Sequence, residues 1–447
     1  MLNGVVGLKA GWLLQRARLG RSKIARGIIA SYLNSAVAVI SNLVLIPVYL
    51  ASLGRDEYGL WMVVIGLVAY LSLLNLGIVQ TTSVRFATAV ARGELDHASR
   101  LLATGLWTYA KLAAIALVCL IVIGPWLPWG VFVKGAPALE QRATMVLLTA
   151  AAGFLVELPL GVFGACLRSI GRIDRQQGVA ALQNVARVVI AVAFLRAGGT
   201  LVALIMLLSM VNVICGLLQY GCLKHELPGL KASRILWDAD AAREMRSPSR
   251  YYFLLQIAGA IAFGSDTVII SSVIATSLVA PYVIAQRLVG SALGVVSTVS
   301  LNFAPAFLEA HARSDLRALR MRFRQAMGIS VVVGAVTGIG LLFAGPGFIR
   351  WWVGPANFVG SQAFLAVVGL MFVQLVLMPC DQLLVSTARH KEYALAAAWE
   401  AMIGLAGALA VGPWWGVVGI AWVRLAARVV GAGPVMVWRS VTTLNGR

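Results

Sequence analysis

Negative charge is scarce in this chain. Its 447 residues carry 17 Asp and Glu against 37 Lys and Arg, and charged residues of all kinds reach only 12%. So little charge excludes a soluble fold of this length, which could not cover its apolar residues with polar surface. Cysteine is also sparse. Cys119, Cys166, Cys215, Cys222 and Cys380 all fall in apolar runs, with no pairing framework and no metal-ligand spacing. They read as small hydrophobes, and neither a disulfide scaffold nor a metal site is expected. His97, His225, His311 and His390 fall in polar stretches, which leaves no histidine relay inside an apolar run. There is no Gly-rich phosphate loop, so ATP-driven work would need another subunit, and no cofactor is expected. The net charge of +20 is dispersed over short loops, a pattern that speaks against nucleic acid as a partner.

What the chain does have is hydrophobic length. Hydrophobic residues make up 60% and the mean hydropathy is +0.87. Twelve apolar runs are long enough to cross a hydrocarbon core of about 30 Å as helices. They fall at 28–50, 59–84, 101–124, 143–167, 179–195, 200–222, 251–274, 281–307, 325–349, 361–386, 394–412 and 416–438. The expectation is an all-α integral membrane protein. Its lysines and arginines sort by side. The N-terminal segment, the even-numbered loops and the C-terminus hold 27, whereas the other side holds five: Arg55, Lys134, Arg142, Arg196 and Arg350. The positive-inside rule then places both termini in the cytoplasm. Trp126, Trp129, Trp351, Trp352, Trp414 and Trp415 cluster at the opposite ends of the runs, as an interfacial aromatic belt should. The basic stretch "KAGWLLQRARLGRSKIARG" (9–27) has no cleavage site before its apolar run and reads as a cytoplasmic helix on the membrane surface.

The chain repeats itself. "ARGEL" (91–95) corresponds to "ARSDL" (312–316), each after the second run of its half, and "SIGR" (169–172) corresponds to "STAR" (386–389), each after the fourth. Six helices per half make the repeat parallel, about an axis along the membrane normal. The expected organisation is a basic segment 1–27, an N-lobe 28–222, a cytoplasmic linker 223–250, a C-lobe 251–438 and a tail 439–447. Two lobes around a cleft form a transporter plan. They argue against an enzyme, because no loop on the far side exceeds about 18 residues and none can house an aqueous catalytic domain.

The stretch "VYLASLGRDEYGLWMVVIGLVAYLSLLNLGI" (48–78) resembles the first hairpin of Wzx-type bacterial polysaccharide flippases, members of the MATE-like MOP exporter superfamily. The likeness rests on Leu53, Gly54, Tyr58, Gly59, Leu60 and Trp61 at the outer turn, then Asn75, Leu76 and Gly77. Read physically, Gly54 and Gly59 permit a tight turn and Trp61 anchors the interface. The resemblance implies a MATE-like fold in a bacterial cytoplasmic (inner) membrane. It also implies translocation of an undecaprenyl-diphosphate-linked oligosaccharide between leaflets, for O-antigen, capsule or exopolysaccharide synthesis. A polysaccharide polymerase or chain-length regulator is a further candidate partner. No site residue is carried over from the family.

Nine ionisable residues fall inside the runs: Lys111, Glu157, Arg187, Asp266, Arg287, Asp381, Glu400, Arg424 and Arg428. Each costs about 2.5–3.5 kcal/mol at a helix centre on insertion scales, so chance retention of nine is a poor explanation. The bland alternative is snorkelling, which suits Arg287 and Glu400 near helix ends. Helical spacing puts Glu157 on a stripe with Gly153, Gly161 and Gly164, Arg187 on a face with Gln183 and Asn184, and Arg287 with Gly290, Ser291 and Gly294. Glu400 shares a face with Gly404 and Gly407. Arg187, Arg424, Arg428, Arg287 and Lys111 are the candidates to bind a diphosphate; Glu157, Asp266, Asp381 and Glu400 are candidates for ion coupling or gating. Depth along consecutive helices makes Glu157 the expected partner of Arg187 or Lys111. Two other readings stay open: a cation-coupled multidrug exporter of the same fold, and a non-transporting scaffold for a polymerase.

Overall fold

The computed structural model describes residues 3–75, 77–134, 137–238, 250–301, 303–313, 315–387 and 390–445. Leu76, Ser314, Ala388, Arg389 and most of the linker's second half therefore lie outside the described residues, as do the chain ends. In lipid every backbone polar group must bond internally, so the apolar runs become helices. Helix α1 spans Asn3–Ala69 and reverses at Gly54, whose φ of +76° suits glycine alone. Tyr49 and Trp61 are 12 residues apart, yet their ring centroids lie 4.8 Å from each other; a straight helix would separate them by about 18 Å. α1 thus supplies two crossings, and the basic segment expected on the membrane surface enters the first without a break. The second crossing differs from the single helix expected at 59–84. It tightens into a 3₁₀ turn, Tyr70–Asn75, and breaks at Gly77 (φ 73°) before α2, Ile78–Ala91.

There follow α3 (Leu95–Ile123), the short α4 (Trp129–Phe132), α5 (Pro137–Ser169), α6 (Ile173–Arg196) and α7 (Leu201–Glu226), which complete the N-lobe. The C-lobe runs through α8 (Arg250–Ile269), α9 (Val279–Leu301), α10 (Ala304–Ala312), α11 (Leu316–Val353), α12 (Ser361–Ser386), α13 (His390–Ala426) and α14 (Gly433–Leu444). α13 reverses at Gly416 (φ 59°), and the hairpin closes tightly on glycines. A Cβ on Gly404 would stand 2.6 Å from Arg424 Nη1, and one on Gly407 2.6 Å from Val423. Among the described residues nine stretches are long and apolar enough to cross a membrane. The reversals at Gly54 and Gly416 raise these to eleven crossings and α9 adds a twelfth. The chain is an all-helical, multi-pass membrane protein of two six-crossing lobes.

The described part of the linker, residues 227–238, follows α7 on one face; the other, here the distal face, carries the Gly54 and Gly416 reversals. Trp126, Trp351, Trp414 and Trp415 project from the molecule at the distal face as a belt would. Trp129 and Trp352 turn inward instead. Trp129 is buried and donates to Thr144 Oγ1 (2.7 Å), and Trp352 donates to the Leu43 carbonyl (2.6 Å). Trp61 is also core rather than interface, packed edge-on against Tyr49 and Tyr58. Gly59 serves a close approach and not the turn, since a Cβ there would lie 2.5 Å from the Thr276 carbonyl of the other lobe.

Candidate functional site

A cavity of about 420 Å³ opens among the N-lobe helices, with one C-lobe side chain in its wall. Ser41, Asn42 and Tyr49 of the first crossing line it, with Trp61 and Met62 of the second, Glu157 of α5, Asn184 and Arg187 of α6, Ser209 and Asn212 of α7, and Arg287 of α9. The glycine stripe on α5 lets α7 approach this wall. A Cβ on Gly153 would collide with Ser209, and one on Gly164 with Gln219, whereas Gly161 faces open space.

The expected direct contact between Glu157 and Arg187 does not form. Asn212, which the spacing of charges did not single out, stands between them. Its Nδ2 donates to Glu157 Oε2 (2.7 Å), and its Oδ1 accepts from Arg187 Nε (3.1 Å), Arg187 Nη2 (2.6 Å) and Gln183 Nε2 (2.8 Å). Arg187 Nη1 has no hydrogen-bond partner among the described residues. Lys111, the other expected partner of Glu157, is exposed on α3 and sits 3.9 Å above the Trp237 ring of the linker, away from the cavity. Arg287 reaches across from the C-lobe, donating to Asn42 Oδ1 (3.3 Å) and approaching Met62 Sδ (3.4 Å). Its neighbours Gly290 and Gly294 leave the face beside it open.

The remaining charges lie deep in the C-lobe and not in this cavity. Arg424, only 7% exposed, donates through Nε to Asp266 Oδ1 (2.5 Å) and through Nη2 to Ser265 Oγ (2.6 Å). The second oxygen of Asp266 accepts from Tyr282 (2.9 Å) and Gln286 (3.4 Å). Arg428, 8% exposed, bridges Glu400 Oε2 (2.8 Å) and Asp381 Oδ2 (3.2 Å). Glu400 does not snorkel; it is held by this bridge. Two of the arginines expected to meet a diphosphate are thus occupied by carboxylates, and three of the four candidate coupling acids are neutralised by guanidinium groups. The two left in the cavity, Arg187 and Arg287, come from different lobes.

The lobes are joined on the distal side. Lys134 N donates to Ser271 O (3.3 Å) and Thr276 N to Lys134 O (3.1 Å). Ser271 Oγ bonds the Phe132 carbonyl (2.6 Å), Thr276 Oγ1 the Lys134 carbonyl (3.1 Å), and Lys134 Nζ the Val273 carbonyl (3.1 Å). Deeper in, the second crossing meets α8 at Gly66 and Gly264, where a Cβ on Gly264 would lie 2.6 Å from the Gly66 carbonyl.

No family model matches the sequence, and no curated protein is similar to it. Solved structures are similar in fold. A multidrug resistance MATE family transporter of the MOP superfamily in its inward-facing conformation superposes with a TM-score of 0.78 at 11% identity, covering 93% of this chain and 98% of that one. The lipid II flippase MurJ, in an inward closed conformation, gives 0.72 at 10% identity, over 92% and 87% of the two chains. An outward-facing MATE family transporter gives 0.60 at 13% identity, over 96% of each. From the described residues and these likenesses together, the chain has the fold of MOP superfamily transporters.

Proposed function

We propose that this protein is a flippase which carries an anionic, lipid-linked headgroup, an undecaprenyl-diphosphate-linked oligosaccharide, between leaflets by alternating access of its two lobes. The observation that carries this reading is the presence of Arg187 and Arg287 in one cavity wall, one from each lobe, with Glu157 the single acid beside them among the described residues. Guanidinium groups bind phosphate oxygens without losing charge, and the asparagines and serines of the wall suit a hydrated sugar. A ligand bridging the lobes gains most when both arginines reach it, which is the differential contact that alternating access requires. Transport from the cytoplasmic leaflet follows if the termini are cytoplasmic, as the basic asymmetry predicts. Tyr49, Trp61 and Glu157 in the same wall favour a second reading, export of an organic cation.

The test is accumulation of lipid-linked oligosaccharide in a deletion strain. Accumulation relieved by the wild-type gene, and relieved poorly by Arg187→Ala or Arg287→Ala, supports the flippase. No accumulation, with altered sensitivity to cationic drugs, supports the exporter.

A further inference from the structure

The two lobes build comparable three-helix junctions from different chemistry, although Asp381 lies seven residues beyond Gln374, the position that the repeat places opposite Glu157. In the N-lobe the hub is Asn212, tied to Glu157 on α5 and to Gln183 and Arg187 on α6. In the C-lobe the hub is Arg428, 216 positions later, tied to Asp381 on α12 and to Glu400 in the first arm of α13. Gln183 and Glu400 are related by a nearly equal offset of 217. A cationic hub pulls both carboxylates directly onto itself, and the C-lobe junction closes and is buried. A neutral hub cannot do this.

We propose that Asn212 is a positioning residue: its amide holds Glu157 and Arg187 one side chain apart, so that Arg187 keeps a free N–H edge facing the cavity. The orientation of the amide is fixed by its partners. Arg187 and the Gln183 amide nitrogen only donate, so the carbonyl must face them; the Glu157 carboxylate accepts, so the NH₂ must face it. With the spacer gone, carboxylate and guanidinium are free to meet as a bidentate pair, whose two parallel N–H···O bonds neutralise the arginine's charge and turn it toward α5. Arg187 would then resemble Arg428, held by acid and withdrawn from ligand. The neutral hub makes one lobe's cation available while the other lobe's serves the fold. This inference rests on the reading of the cavity as an anion site, and its test separates the two.

The experiment uses the purified full-length chain in detergent micelles with two measurements. The first is reaction of Arg187 with phenylglyoxal, mapped by peptide mass spectrometry, which needs no ligand. The second is binding of farnesyl diphosphate, with farnesol as the uncharged control. Asn212→Leu should lower Arg187 labelling several-fold and weaken farnesyl diphosphate by about tenfold, the worth of one charge-assisted hydrogen bond. Asn212→Leu with Glu157→Gln should restore both, because no carboxylate remains to capture Arg187. A purely structural role predicts no such rescue. Labelling unchanged in Asn212→Leu, or a double variant no better than the single, overturns the proposal; Asn212→Ser replaces the leucine variant if that one does not fold. The expected labelling pattern without farnesyl diphosphate binding in wild type leaves the spacer standing and removes the diphosphate reading.

Discussion

Breaking the Asp266–Arg424 pair from one side should destabilise the protein far more than removing it whole. Both side chains are nearly fully buried, Asp266 at 2% and Arg424 at 7% exposure. Leaving one member of such a pair alone costs about 3–5 kcal/mol. Asp266→Asn belongs in the upper half of that range. It strands the guanidinium and also turns an NH₂ toward Tyr282, Gln286 or Arg424, all of which donate to the native carboxylate. Arg424→Met belongs near about 3 kcal/mol, because Tyr282 and Gln286 still satisfy one carboxylate oxygen. The double variant Asp266→Leu with Arg424→Met removes both charges and orphans the Tyr282 hydroxyl, at about 1–3 kcal/mol. The double should therefore cost several kcal/mol less than the sum of its two singles. Unfolding in mixed micelles by a graded denaturing detergent, followed by tryptophan fluorescence, measures the cycle. Additivity within about 0.5 kcal/mol would refute the pairing, since uncoupled sites behave that way.

Arg428→Lys keeps the charge but loses the fork that spans Glu400 and Asp381, so it should lower the melting temperature while leaving farnesyl diphosphate affinity near wild type. A loss of affinity with normal melting would instead restore Arg428 as a ligand. Gly264→Ala places a methyl against the Gly66 carbonyl and should loosen the distal contact between the lobes. A cysteine pair at 134 and 273 should cross-link efficiently in the native background and poorly with this substitution. For topology, the exposed positions Arg313 and Trp415 serve as cysteine sites. Membrane-impermeant reagent applied to intact cells should label position 415 in preference to 313 if the termini are cytoplasmic.

Much of this architecture is legible in the sequence because lipid leaves few options. Hydrophobic length, the positive φ demanded near Gly54, and the sorting of lysine and arginine by loop all act locally. Partnerships across helices are another matter. A helix buried in protein on one side and lipid on the other is apolar all round, so the pattern does not reveal its rotation. Arg187 and Arg424 look alike in one dimension; one faces a cavity and the other Asp266. Glu157 and Arg187 match in depth along their helices, but depth carries no information about what stands between them. Asn212 has a signal of its own, a carboxamide that recurs at Gln219 in an otherwise apolar run, but it carries no charge to mark it. Trp61 and Trp129 mislead for a related reason: tryptophan suits both an interface and a core.

The joint at Lys134, Ser271 and Thr276 consists mostly of main-chain atoms, and that composition sets how firmly the lobes are held together. Five hydrogen bonds cross it, each worth about 0.5–1.5 kcal/mol net once water takes the place of the lost partner. The latch is therefore a few kcal/mol deep, comparable to the differential affinity that shifts a two-state equilibrium from mostly shut to mostly open. Four of the five bonds involve no ionised group, so salt and mild changes of pH should leave the latch nearly unaltered. If the lobes alternate as proposed, cargo occupancy and not the surrounding electrolyte decides when they part.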